Sequence, residues 1–321
     1  MSSRSFDFSI FPYLNGAPLS SATFRWSPED FRVDEILDMP FSGVGEHLLL
    51  LISKRDQNTT WIAGLLAKLA GIRRQDIGFC GLKDRYAVTT QWFSLYLPGR
   101  DIEIDALAHD DFKIIESSRH RKKLRRGMHT GNRFCIELRD FSVSDDQLSE
   151  RINLICDKGV PNYFGQQRFG RNGNNLSEVQ RLVELDKLKG NKKGTGLYLS
   201  AARSWLFNLI LAEHINKKPI TNIELDQEMG ALWGRGRSGA NFDIAKLEEK
   251  VLSDWKDWCY ALEHSGLSQQ RRNLIVRPNQ LSFEKIAEGN WRFKFSLPKG
   301  SFATAILREI AELSRSTEHH L

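Results

Sequence analysis

A chain of 321 residues, 40% hydrophobic and 27% charged, is long enough for one large or two ordinary domains with real cores, and its balance excludes collagen-like, low-complexity and disordered classes. Its longest strongly apolar run, Leu48 to Ile52, falls far short of the roughly 20 residues that cross a bilayer. With 46 Lys and Arg against 40 Asp and Glu, the formal charge of +6 favours a polyanionic partner. The N-terminal MSSRSFDFSI has no basic stretch followed by an apolar core. The four cysteines (Cys80, Cys135, Cys156, Cys259) lie dozens of residues apart, so reduced thiols in a cytoplasmic protein are expected, with neither a disulfide framework nor a metal site.

In chain order, Thr60 to Ala70 puts Trp61, Ile62, Leu65, Leu66 and Leu69 on one helical face, with Asn58 or Thr59 as N-cap and Gly71 as stop. Ile77 to Cys80 reads as a short buried strand. Gln91 to Leu97 and Arg133 to Arg139 alternate apolar and polar positions as strands do, and the polar loop GLKDRYAVTT separates the first two. Ser144 with Gln147 forms a capping-box start for a helix through Ile155, which Gly159 and Pro161 end. Helices follow over Asn175 to Leu188, Ser200 to Ile215 and about Asp243 to His264. Strands then return at Leu274 to Val276 and Trp291 to Leu297, ahead of a last helix capped by Ser301. The expected class is α+β, a β-rich domain interrupted by a helical one. The boundaries fall at residues 1–158 plus 276–321 for the first and 159–275 for the second.

Charge is unevenly placed. Residues 1–158 balance acids and bases, yet RHRKKLRRG packs Arg119, Arg121, Lys122, Lys123, Arg125 and Arg126 into eight positions with no acid among them. Such a run is either a solvated face or frayed loop, or a set of phosphate contacts. Phosphate-loop, HExxH, GxSxG and dinucleotide-binding GxGxxG signatures are missing, which removes weight from nucleotide hydrolysis, zinc hydrolysis and hydride transfer. What remains is Asp84, between Lys83 and Arg85 at a strand junction. Flanking cations favour the ionised carboxylate, a good nucleophile or general base. On spacing alone, KDR reads more often as a surface turn with an ordinary salt bridge. Phe31, Phe134, Phe164, Phe169 and Phe302 each lie in or beside polar or Gly-rich stretches, where rings either stack on an extruded base or fill a core. For Phe134, in a cleanly alternating strand, the core use is the stronger reading.

Seven collinear segments then decide a resemblance: PEDFRVDE (28–35), GEHLLLLISK (45–54), GFCGLKDRYAVTTQW (78–92), RHRKKLRRG with GNRF (119–134), GVPNYFGQQRFG (159–170), LSAARSWLFN (199–208) and LPKGSFATAILRE (297–309). In this order they resemble the tRNA pseudouridine synthase D (TruD) family. The resemblance implies an isomerase that converts uridine at position 13 of transfer RNA to pseudouridine, with no cofactor. It implies a catalytic domain with a mixed, largely antiparallel sheet built from both chain ends, and a mainly helical inserted domain. By motif, Asp84 is the catalytic carboxylate, adding to the uracil ring or attacking the ribose. Phe31, Asn132 and Phe302 surround the target uridine, and Phe134 takes the ring position near it. A basic partner for Asp84 is expected from the wider superfamily, either Arg25 or Lys83. From charge alone, Arg119, Arg121, Lys122, Lys123, Arg125, Arg126 and Arg168 are candidate contacts to the RNA backbone. The expected partner is tRNA, with no membrane and no permanent protein partner, the protein acting as a monomer. The competing class is a catalytically silent tRNA-binding or RNA-chaperone protein.

Overall fold

The computed structural model describes residues 4, 6–190, 194–217 and 228–315. Its strands, in chain order, are β1 (Ser21–Phe24), β2 (Phe31–Ile36), β3 (His47–Arg55), β4 (Ile77–Phe79), β5 (Val88–Tyr96), β6 (Phe112–His120), β7 (Gly131–Arg139), β8 (Val160–Pro161), β9 (Met229–Leu232), β10 (Gln270–Asn273), β11 (Ile275–Val276), β12 (Asn279–Ala287), β13 (Asn290–Pro298) and β14 (Glu312–Arg315). The helices are α1 (Thr59–Leu69), α2 (Asp145–Lys158), α3 (Asn174–Glu184), α4 (Thr195–Lys217), α5 (Phe242–Val251), α6 (Lys256–Glu263) and α7 (Ala303–Arg308).

The chain forms two compact units. One comprises Pro18–Ile152, Pro278–Ser301 and Ile310–Leu321 and carries a ten-stranded sheet with the path β12-β13-β7-β2-β5-β3-β6. Strand β4 pairs with β5, and β1 joins β7 to β14. Only β1/β14 and β2/β5 run parallel; the other pairings are antiparallel, so the sheet is mixed and largely antiparallel. Alternation does the sorting. Phe134, Ile136 and Leu138 of β7 lie in register with Phe295, Phe293 and Trp291 of β13, and Phe134 and Ile136 pair with Val33 and Phe31 of β2, so all eight side chains share one buried face. Helix α1 packs Ile62, Ala63, Leu66 and Ala67 against Leu48, Leu50, Ile52, Phe93 and Leu95. Its N-cap is Asn58, one of the two expected, without a side-chain cap bond, and the Thr59 hydroxyl is engaged as described below.

The other unit comprises Met1–Ala17, Asn153–Arg277 and Phe302–Glu309. The sequence reading places the boundaries at 158/159 and 275/276 and leaves both outer segments with the sheet. Phe6, Phe8 and Phe11 instead put their rings 5.4 to 5.6 Å from Trp205 of α4. The Glu309 carboxylate accepts the backbone N–H groups of Leu14 and Asn15, binding the α7 segment to the N-terminal one. Such contacts are long-range in sequence and leave no local pattern. The helix expected over Asp243 to His264 is two helices, broken at a short turn over Ser253–Trp255 whose Trp255 ring packs 4.9 Å from Trp258. The Ser144–Gln147 cap forms as expected, with the Gln147 N–H donating to Ser144 Oγ at 3.2 Å. Ser301 caps nothing: Phe302 occupies the N-cap position of α7, without a side-chain bond.

Trp205, 1% exposed, lies in contact with Phe6, Phe8, Phe11, Phe169 and Trp255. Trp205→Ala is expected to cost about 3–5 kcal/mol, read as a lower denaturant midpoint for the helical unit.

Candidate active site

The loop between β4 and β5 carries Asp84 at its exposed crest, its side chain 43% accessible. Neither chain neighbour pairs with it. Lys83 turns inward, with its ammonium 2.8 Å from Glu35 Oε2 and donating to Asn132 Oδ1 at 2.8 Å; Arg85 reaches Asp56 at 3.3 Å. The partner of Asp84 is Arg25, whose Nη2 donates to Oδ2 at 2.9 Å. Of the two basic residues the sequence leaves open, Arg25 is therefore the one on the carboxylate. The ion pair of the expected KDR turn is made across the fold, by a residue 59 positions away.

Arg25 follows β1 with a positive φ of 59°, a conformation unusual for a side-chain-bearing residue. Its guanidinium lies 3.9 Å from the centroid of Phe31 and 5.1 Å from that of Phe24, with its side chain only 8% exposed. Phe31 is itself 3% exposed and packs edge-on to Phe24 and at 6.2 Å from Phe134; Phe134, 6% exposed, continues to Phe295 at 5.4 Å. Both rings are core residues beneath the site, and Phe31 serves as the floor on which Arg25 rests. An open stacking face is not what burial leaves them.

Strand pairing explains the inner group. Glu35 of β2 is in register with Asn132 of β7, so both project beside Lys83, and the other Glu35 oxygen accepts the Trp92 N–H at 3.2 Å. Around the loop, Lys83 N–H donates to Thr59 Oγ1, that hydroxyl donates to Gln91 Oε1, and Gln91 Nε2 donates to the Gly81 carbonyl. Lys54, 2% exposed, donates from Nζ to the Gln57 carbonyl at 2.6 Å and to the Asp84 carbonyl at 3.0 Å. Burial pulls its ammonium down to about 8, opposed by the charge of Asp84. Burial likewise lowers His129 and pushes the Cys80 thiol up to about 12, leaving it an inert thiol under the loop.

The remaining candidates are carried by other elements. Phe302 belongs to the helical unit, where with Gly165, Gln167, Arg168 and Leu197 it lines a cavity of about 170 Å³. Arg168 donates to Ser200 Oγ at 3.1 Å and stands 5.6 Å from both the Phe164 and Phe302 rings. Nearby, burial and then the like charge of Arg168 bring Arg272 down to about 10. Of the basic run, Arg119 is committed to the Asp101 carboxylate and the Arg100 carbonyl, whereas Arg121, Lys122, Arg125 and Arg126 are exposed.

The profile of the family described as tRNA pseudouridine synthase D (TruD) matches residues 7–190 and 227–310. A tRNA pseudouridine synthase D from Cellvibrio japonicus is 42% identical, the match covering 96% of this chain and 95% of that protein. The chain belongs to this family. Another relative of the same name, from Aeromonas hydrophila, is 37% identical over 94% of this chain and 93% of its own length. A solved structure from Methanosarcina mazei, described as a candidate member of the TruD family, covers 95% of this chain and 97% of that one with a TM-score of 0.67 at 19% identity, a likeness of fold.

Sequence reasoning missed Glu35, Lys54, Thr59 and Gln91. For two of them the signal was present. Glu35 continues the inward phase of Phe31 and Val33, and Lys54 that of Leu48, Leu50 and Ile52, so each is a charged residue on an apolar strand face. Lys54→Met fills the same space without the ammonium. It is expected to lower kcat about 10–100-fold by releasing the Asp84 carbonyl, with little change in Tm because a buried charge also leaves. The pH profile separates positioning from scaffolding. Wild-type turnover should fall above about pH 8, as Lys54 loses its proton, and Lys54→Met should lack that limb. The stability sign is opposite: between about 8 and the ordinary 10.5 the unfolded chain binds the proton that the fold has lost, so wild-type stability gains with pH there.

Proposed function

We propose that this chain isomerises uridine in tRNA to pseudouridine, at position 13 as its motifs imply, with the Asp84 carboxylate as the attacking group. One observation carries the assignment: a single exposed carboxylate, held at 2.9 Å by a buried guanidinium, on a loop tied down by Lys54, Thr59 and Gln91. A carboxylate placed in this way attacks an electrophilic carbon without having to be ordered first. The carboxylate bonds to the uracil ring or to the ribose, the N1–C1′ bond breaks, the uracil turns and C5 bonds to C1′; the carboxylate–carbon bond then breaks and returns Asp84 free, C5 loses its proton and N1 takes one up. Atoms and electrons balance, so the step calls for no redox partner.

Arg25 orients Asp84 and stabilises its charge, and Phe31 supports Arg25, with Phe134 behind it. Asn132, half-buried, offers its amide to a base edge, and Lys83, buried beneath, holds that amide through its Oδ1. From the helical unit, Phe302 offers a partly exposed ring beside Arg168. The phosphate contacts fall to Arg121, Lys122, Lys123, Arg125, Arg126 and Arg168, with Arg119 the weakest candidate because Asp101 already neutralises it. The sheet unit is read as the catalytic domain and residues 159–275 as the core of the inserted one. With tRNA as substrate, this reading expects a cytoplasmic protein, and it takes the protein to act as a monomer. Among the described residues no helix is long and apolar enough to cross a membrane.

Asp84→Asn keeps size and removes the nucleophilic charge. With unmodified tRNA carrying tritium at uridine C5, it is expected to release tritium at least about 10³-fold more slowly than wild type while binding the tRNA within about threefold as tightly. Release at the wild-type rate would overturn the mechanism. Binding by both proteins with no release by either would favour the silent RNA-binding reading.

A further inference from the structure

The basic run is half of a second feature. Leu124 is 1% exposed and its N–H donates to Ser94 Oγ at 3.0 Å; Gly127 N–H donates to the Cys80 carbonyl at 2.8 Å, and the Lys123 ammonium donates to the Gln75 carbonyl. Gly78 of β4 permits the approach, since a Cβ there would stand 2.3 Å from the Leu124 carbonyl oxygen. The stretch is therefore pinned against β4, which excludes the frayed loop that the charge run alone allows. Pinning sets Lys123, Arg125 and Arg126 opposite Arg73 and Arg74, around an open depression of about 780 Å³ with Phe79 in its wall.

Phe79 is half-buried, and two guanidiniums flank its ring: Arg74 at 5.6 Å and Arg126 at 5.8 Å from the centroid. Arg73 is paired with Asp76, but among the described residues no carboxylate pairs with Arg74, Arg125 or Arg126. Arg74, Lys123, Arg125 and Arg126, which no carboxylate pairs among the described residues, repel one another around the depression, and an arriving anion relieves that repulsion. The carboxylates of an acidic peptide would supply charge but make no use of the ring between two arginines. A nucleotide uses both, its phosphate on the guanidiniums and its base on the ring.

We propose that this depression seats one nucleotide of the substrate RNA, with Arg74 and Arg126 on its phosphate and Phe79 against its base, as a contact separate from the reacting uridine. The inference rests on the reading of tRNA as substrate. Phe79 lies five residues before Asp84, so their Cα atoms are at most about 18 Å apart, and one RNA molecule spans both. The seat makes the β4 edge a reader of RNA next to the nucleophile loop.

The test measures tRNA affinity by filter binding across a salt series, with tritium release in parallel. Arg74→Ala/Arg126→Ala is expected to raise Kd about tenfold or more at 0.1 M salt and to reduce the slope of log K against log salt by about 2, with the loss in turnover falling in KM more than in kcat. The double Lys variant should recover most of the affinity. Phe79→Leu retains an apolar contact with Phe93 and should weaken binding about fivefold with the salt slope unmoved. An unchanged Kd and slope in the double Ala variant, with wild-type conversion intact, would overturn the seat and leave the proposed function standing. Unchanged affinity in Phe79→Leu would overturn the stacking role, and absence of conversion by wild type would overturn the substrate reading itself.

Discussion

The arrangement depends on two lysines buried beneath one exposed carboxylate. Lys83, 5% exposed, and Lys54, 2% exposed, each take a positive charge out of water, which is costly unless close acceptors take up its donors. Both are supplied: Lys83 by Glu35 and Asn132, Lys54 by two backbone carbonyls, one of them that of Asp84 itself. The loop cannot move without stranding these charges. Rigidity at the crest therefore follows from electrostatics underneath it, and a short polar loop of ordinary composition becomes a fixed platform.

The sheet makes this possible through register. Glu35 and Asn132 meet Lys83 only because β2 and β7 pair antiparallel with those residues opposite each other; a one-residue slip would turn Glu35 to the other face and leave Lys83 alone. The same register stacks Phe31, Val33, Phe134, Ile136, Phe293 and Phe295 into one layer. Hydrophobic burial thus enforces the polar geometry. The core that stabilises the sheet also sets where the ammonium and the carboxylates lie.

Much of this was legible in the chain. The α+β class, the alternating strands around residues 91–97, 133–139 and 291–297, and helix α1 follow from local periodicity, and the ordered motifs single out Asp84. What local pattern cannot carry is pairing at a distance. The partner of Asp84 is Arg25 and not a neighbour in KDR, because side chains adjacent on the loop point apart while β1 returns beside it. The N-terminal aromatics pack on Trp205 nearly two hundred residues on, so the unit boundary could not be drawn from composition shifts. Glu35 and Lys54 were readable in principle. A charged residue on the buried phase of a strand must have a partner, and that requirement marks it for function or architecture before any partner is known.

Arg25 shows why such a site is built from the core outward. Its backbone sits at φ 59°, where a side chain costs on the order of 1–2 kcal/mol. The ring of Phe31 beneath the guanidinium and the Asp84 carboxylate at its tip offset that cost, but only when both are already in place. The residue is held by its surroundings and contributes little to them. Phe31 is consequently more consequential as a buried floor than as a ring offered to the substrate. By fixing the plane of the guanidinium, it fixes the direction in which Asp84 presents its free oxygen.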